Sequence, residues 1–215
     1  MDDEGRRDKL IASKERWARE GRLLTGMSAD PATGLPPGQH EVKNWPVLDL
    51  GGQPDIDLEK WHLRMDGLVR NKTIWRHADF LAQPQRDLTV DIHCVTSWSR
   101  YDNRFSGVSG QHLLSVVDPL PEASHVLIHG FDGYTTNLPL AVLAEPDVLI
   151  ADRWDARPLT RVHGGPVRLV VPRLYFWKSA KWISRIEFLA DERLGFWEER
   201  GYHAFGDPWR EQRYS

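Results

Sequence analysis

The chain has 215 residues, 40% of them hydrophobic and 27% charged, with a net charge of −3 at pH 7. These values fit one globular domain, or one domain with a terminal arm, in which a single core buries most of the apolar surface. Charges of both signs are interspersed, which argues against general nucleic-acid binding, and no apolar run approaches the ~20 residues that span a bilayer.

The opening Met1-Asp2-Asp3-Glu4-Gly5-Arg6-Arg7 leads into further charged residues, with no uncharged stretch long enough for a signal-peptide core. A cytoplasmic protein is therefore expected. Asp8 to Glu20 has helix-forming composition, Leu10, Ile11 and Trp17 can share one face, and Gly21 is a stop. Residues 25–38 carry Gly26, Pro31, Gly34, Pro36, Pro37 and Gly38 and read as an irregular linker. The expected division is an N-terminal helix and linker over 1–38 and one domain over 39–215.

Within that domain, Val42 to Leu48 reads as a short extended piece and His62 to Val69 as a half-buried strand. Thr73 to Leu81 suggests a short helix capped by Thr73. Leu88 to Val95 is the next strand, with Cys94 near its end. Gln111 to Val117 looks helical and Val126 to His129 extended. Leu138 to Ala144 reads as a helix with Pro139 in its first turn, closed by Glu145-Pro146. Val148 to Asp152, Val167 to Val171 and Trp182 to Leu189 complete a set of short strands. Because strands and helices alternate irregularly, the expected class is α+β, with mixed sheets and short helices. The ten tryptophans read as core and loop packing rather than a base-stacking platform.

Cys94 is the only cysteine, so an intrachain disulfide is impossible. It remains a buried filler, a nucleophile, or a soft ligand to a metal held mainly by another group. Four other segments could share a site with it. Val42-Lys43-Asn44-Trp45-Pro46 offers a cation and an amide, and His129 to Asn137 is a polar loop leaving a strand. In Arg161 to Arg168, two glycines permit close backbone approach between His163 and Arg168. In Tyr175 to Trp182, small residues separate Lys178 from Lys181. Together they supply cations and amides for an anion, and aromatic walls, as a phosphorylated organic cofactor requires.

Taken as an ordered set, these segments resemble the sulfite oxidase family of molybdenum-cofactor oxidoreductases. The similarity runs from about Val42 to Ile186 and is strongest at Cys94-Val95-Thr96-Ser97-Trp98-Ser99, His163-Gly164-Gly165-Pro166-Val167-Arg168 and Lys178-Ser179-Ala180-Lys181-Trp182. The ending from Gly195 to Trp209 is similar to the short bacterial members of that family. The resemblance implies a sulfite-oxidase-type molybdopterin-binding fold, in which Cys94 ligates molybdenum and a pyranopterin dithiolene supplies the other sulfurs. It implies that Asn44, His163 and Arg168, with Ser179, Ala180 and Lys181, hold the pterin and its phosphate, with His129 a further candidate. His93 faces away from Cys94 if strand alternation holds.

The expected function is transfer of an oxygen atom to or from a small oxyanion or sulfoxide, with electrons exchanged with a separate partner. Lys43, Arg100 and Lys181 are candidates to attract an anion. Asp152 falls near the place of an active-site tyrosine in sulfite oxidases, where a carboxylate would repel an anion. Two alternatives stand beside this reading: a non-catalytic molybdopterin carrier or electron-transfer module, and a hydrolase using Cys94 with a histidine.

Overall fold

The computed structural model describes residues 3–28 and 34–215. Its first element, α1 (Asp3–Arg19), begins earlier than the composition suggested. Part of the expected linker, 29–33, lies outside the described residues. The part before it is tied down, since the backbone N–H groups of Thr25 and Gly26 donate to the Glu211 carboxylate at 2.7 and 2.9 Å.

Eleven strands form two sheets among the described residues. The first contains β1 (His40–Glu41), β4 (Gln85–His93), β5 (Trp98–Ser109), β8 (Leu149–Trp154), β9 (Arg157–Pro158) and β10 (Arg168–Val170). Its backbone order is β1-β5-β8-β10, with β4 pairing β5 and β9 pairing β8. The second sheet runs in the order β3-β2-β11-β6-β7 and comprises β2 (His62–Gly67), β3 (Thr73–Arg76), β6 (His125–Gly130), β7 (Thr135–Pro139) and β11 (Ile183–Leu189). Only β1 with β5 and β11 with β2 run parallel. With α2 (His77–Leu81), α3 (Gly110–Val117) and α4 (Leu140–Leu143) all short, the fold is the expected α+β mixture.

Apolar residues on both faces explain why the segments around β8 and β10 of the first sheet read as nearly unbroken hydrophobic runs. Ile150 and Leu169 join the main core with Leu63, Met65, Ile128 and Ile186 of the second sheet. Their neighbours Leu149, Ala151 and Val170 point the other way, into a second cluster around Ile92, Cys94, Tyr175 and Phe176. The candidate site grows out of that second cluster.

Three local readings need correction. Thr73–Arg76 is a strand, not the start of a helix: Thr73, Ile74 and Trp75 are β-branched or aromatic and pair with Met65, Arg64 and Leu63. The helix starts only at His77, where Asp79 accepts the Arg76 N–H at 2.9 Å. Pro139 likewise ends β7 and serves as N-cap of α4 rather than lying within its first turn. The longest strand, β5, went unread because Ser99, Arg100, Asp102, Asn103 and Arg104 hide its period. Asn103 is fully buried and spends its amide on the carbonyls of Val90 and Arg100.

Candidate active site

Cys94 stands at the tip of the β4–β5 hairpin. Its N–H donates to the Trp98 carbonyl at 2.8 Å and its own carbonyl accepts the Ser97 N–H at 3.0 Å, while Ser97 takes a φ of 79° to close the turn. Side chains remote in sequence fix this tip. Gln39 Nε2 donates to the Cys94 carbonyl at 3.0 Å. The fully buried Arg213 donates to the carbonyls of Val95 and Pro37. Thr96 Oγ1 lies 3.2 Å from the sulfur. Burial pushes the Cys94 thiol above its ordinary pKa, opposed by the Thr96 hydrogen bonds and by the charges of Lys14 and Arg213. His93 turns away, its Nδ1 2.8 Å from Ser99 Oγ and its ring against Trp209. Burial pulls it down to about 4, so it is neutral at pH 7.

Cys94 lines a cavity of about 290 Å³, walled by Trp45, Phe176, Trp177, Trp197 and Tyr202 among others. Arg168 enters from the start of β10 and is only 2% exposed. Its guanidinium donates to the carbonyls of His163 at 2.7 Å, Ser179 at 2.8 Å and Leu169 at 3.3 Å, and lies 4.3 Å from the Phe176 ring centre. Among the described residues it has no carboxylate partner. Burial pulls it down to about 9, and it stays charged at neutral pH. Lys181 donates to the Val162 carbonyl at 3.0 Å and has Asp49 at 3.7 Å. Burial, and then the Arg168 charge, pull it down to about 8. Two cations, one without a carboxylate partner among the described residues and one with Asp49 at 3.7 Å, thus share one apolar-walled cavity, an arrangement that favours a bound anion.

The chain between these cations is shaped for close approach. Gly164 has a φ of 101°, and a Cβ there would stand 3.0 Å from Lys181 carbons and 3.1 Å from the Arg168 Cβ. His163 stacks on Trp45 with ring centres 4.1 Å apart. Its Nε2 lies 3.2 Å from the Trp45 carbonyl, which only accepts, so Nε2 carries the proton and Nδ1 accepts from Thr160 at 3.0 Å. Ser179 Oγ accepts the Val171 N–H at 2.9 Å, and the Ala180 carbonyl accepts from Leu169.

Cys94, His163, Arg168, Ser179, Ala180 and Lys181 therefore line one cavity. Four other candidates lie outside that lining. Lys43 is 89% exposed on its side chain and pairs with Glu41, and Asn44 is exposed beside the inward-turned Trp45. Arg100 donates to the Lys43 carbonyl at 3.2 Å, bonds Asn103, and lies 4.8 Å from the Trp154 ring centre, bracing the wall behind Trp45. His129 faces Glu187 across the second sheet at 3.2 Å. Asp152 is buried on β8 beside Arg153, outside the cavity lining; alternation turns it away from the cluster that holds Ala151 and Cys94. It therefore does not oppose an anion there.

A family model for the oxidoreductase molybdopterin binding domain matches residues 50–197. The uncharacterized oxidoreductase YuiH of Bacillus subtilis is 42% identical over 87% of this chain and 95% of its own length. The chain belongs to the sulfite oxidase family of molybdopterin oxidoreductases. Mitochondrial sulfite oxidase of Rattus norvegicus is 26% identical over 71% of the chain, which spans only 33% of that longer protein. The sulfane dehydrogenase SoxCD of Paracoccus pantotrophus shares the fold, with a TM-score of 0.60 over 66% of this chain and 41% of its own at 21% identity.

As a member of the sulfite oxidase family, the protein is an oxidoreductase that uses a molybdenum–molybdopterin cofactor. The cavity suits such a group. Arg168 and Lys181 offer charge to a phosphate, the aromatic walls suit a pterin, and one soft sulfur suits a metal whose other ligands arrive with the cofactor. Among the described residues no cluster of three His, Cys, Asp or Glu side chains forms an all-protein metal site. The sequence reading missed Leu10 and Lys14 of α1, Asp49, Trp197 and Tyr202, all of which line the cavity. Leu10 and Lys14 come from near one end of the chain and Trp197 and Tyr202 from near the other, and no local spacing signals that.

Proposed function

We propose that the protein transfers an oxygen atom between its cofactor and a small oxyanion or sulfoxide, exchanging electrons with a separate partner protein. The cofactor, when bound, supplies the oxygen-atom transfer and the two-electron redox change. The chain supplies the thiolate of Cys94 as metal ligand, Arg168 and Lys181 to hold the phosphate, and the indoles of Trp45 and Trp177 to shield the site from water. The observation that carries this reading is the meeting of the single cysteine and two under-neutralised cations in one aromatic cavity. Lys43 and Arg100 act from outside the cavity lining, as long-range attraction for an anion. Among the described residues no helix is long and apolar enough to cross a membrane. We place the protein in the cytoplasm, where an unpaired thiol stays reduced.

The test is substrate-dependent turnover of the cofactor-loaded protein with an artificial electron acceptor or donor, in wild type and in Cys94→Ser. A hydroxyl is a harder and far less acidic donor than a thiol. The serine variant should keep its fold and lose turnover by more than the roughly ten- to hundredfold that loss of a mere outer-shell partner of a metal ligand costs. Wild-type turnover in Cys94→Ser would refute the metal-ligand role. A loaded wild type without turnover on any oxyanion or sulfoxide would refute the activity.

A further inference from the structure

Three cations line the cavity: Lys14, Arg168 and Lys181. Arg168 and Lys181 act on each other and on His163. The cationic charges acting on Cys94 belong instead to Lys14 and Arg213. Arg213 is committed, bonded to the carbonyls of Val95 and Pro37 with Glu211 at 3.8 Å. Lys14 is not. It pairs with no carboxylate among the described residues, and its ammonium rests 3.5 Å from the centre of the Trp17 ring. Lys14 and Leu10 are one helical turn apart on α1, so they share a face, and both line the cavity with Cys94.

The helix that carries Lys14 is fastened in place. Glu15 pairs with Arg200 at 3.5 Å, and Ala18 packs against the second cluster beside Gly201. Half-burial makes a charge at Lys14 less screened than one on the open surface, and draws its pKa down against the opposing pull of Cys94. A long side chain resting on an aromatic face can swing to a ligand at small cost in packing.

We propose that Lys14 is a specificity-determining residue: from α1, in the cavity that Cys94 lines, its ammonium attracts and orients an anionic, oxygen-bearing substrate. This rests on the function proposed above and narrows it to the oxyanion. The other cavity cations are occupied by the cofactor phosphate in that reading, which leaves Lys14 as the charge facing the substrate.

Cys94 is the only cysteine, so its alkylation reports the local field without needing the cofactor. In the full chain purified free of cofactor, the rate with anionic iodoacetate is divided by the rate with neutral iodoacetamide at one pH, which cancels the thiolate fraction. Lys14→Gln should lower this ratio roughly threefold or more, as for loss of one nearby partly screened charge. Arg16→Gln, which removes an exposed charge from the same helix, should leave it unchanged. Equal ratios in wild type and Lys14→Gln would overturn the proposal whatever the metal content. In cofactor-loaded protein, Lys14→Gln should raise the KM for sulfite about fivefold with kcat little changed, and leave the KM for dimethyl sulfoxide unaltered. An unchanged sulfite KM would also overturn it. If the alkylation ratio falls but loaded wild type turns over dimethyl sulfoxide and no oxyanion, the oxyanion assignment is overturned while the molybdenum reading survives.

Discussion

Arg168 is the residue whose surroundings make least sense without a ligand. Its guanidinium bonds go to three backbone carbonyls, its ring neighbours are Phe176 and Trp45, and Lys181 adds like charge nearby. A hydrogen bond to a charged group contributes about 1.5–3 kcal/mol, or roughly ten- to a hundredfold in affinity. Arg168→Ala should therefore lower cofactor occupancy of the purified protein by at least about tenfold, read as pterin fluorescence per chain after denaturation. Full occupancy would make Arg168 a purely structural residue. Lys181 adds a pH dependence. Its pKa in the folded chain is lowered to about 8 from the ordinary 10.5, so its charged form destabilises the cofactor-free fold fully below about pH 8, and that cost is relieved as pH rises from about 8 toward 10.5. Anion binding runs the opposite way, because the protonated amine is the binding form. Sulfate affinity of the cofactor-free protein, measured by calorimetry, should fall above about pH 8 by up to about tenfold per unit, and Lys181→Met should remove that component.

At the scale of elements, the hairpin tip is strained where it presents the sulfur. Ser97 holds a left-handed φ of 79°, a conformation that costs an L-residue about 1–2 kcal/mol. Ser97→Gly should therefore raise stability by about 0.5–1 kcal/mol, allowing for the greater chain entropy of glycine. Denaturant unfolding of the cofactor-free protein checks this, and a loss of stability would show that the hydroxyl has an unrecognised role. The same hairpin marks where the sequence was legible. β8 and β11 were readable because packing on both sides or on alternate sides leaves apolar runs, and the Cys94, His163-to-Arg168 and Lys178-to-Lys181 segments were readable as a set. β5 was not, since its buried Ser99 and Asn103 are satisfied by Gln39 and by the carbonyls of Val90 on β4 and Arg100 on β5 itself. Thr73 to Leu81 misled because a β-branched run precedes the capping residue, and pairing with β2 outweighs helix propensity.

Across the whole molecule, the site is closed by both ends of the chain. After β11 the chain returns over the cavity, where Glu198 accepts from Thr136 at 2.8 Å and Trp177 at 3.0 Å and pairs with Lys178 at 2.7 Å, both charged groups fully buried. Lys178 also donates to the carbonyl and side chain of Asn137 at 3.0 and 2.8 Å. Glu211 and Arg213 then tie the last residues to Thr25, Gly26 and the Cys94 turn. Removing one partner of a buried pair strands the other charge at a cost of about 3–5 kcal/mol. Lys178→Ala should destabilise the protein by that amount, seen as a lower denaturant midpoint. A shift below about 1 kcal/mol would mean that the clasp is solvated. No window of sequence could reveal the ties made by Glu211 and Arg213, because Thr25, Gly26 and Pro37 lie near the opposite end of the chain. In the proposed role, this framework presents Cys94 to molybdenum. X-ray absorption at the molybdenum edge, compared between loaded wild type and loaded Cys94→Ser, tests it most directly. One fewer sulfur neighbour around the metal in the variant is the expected result, and an unchanged sulfur shell would contradict the account.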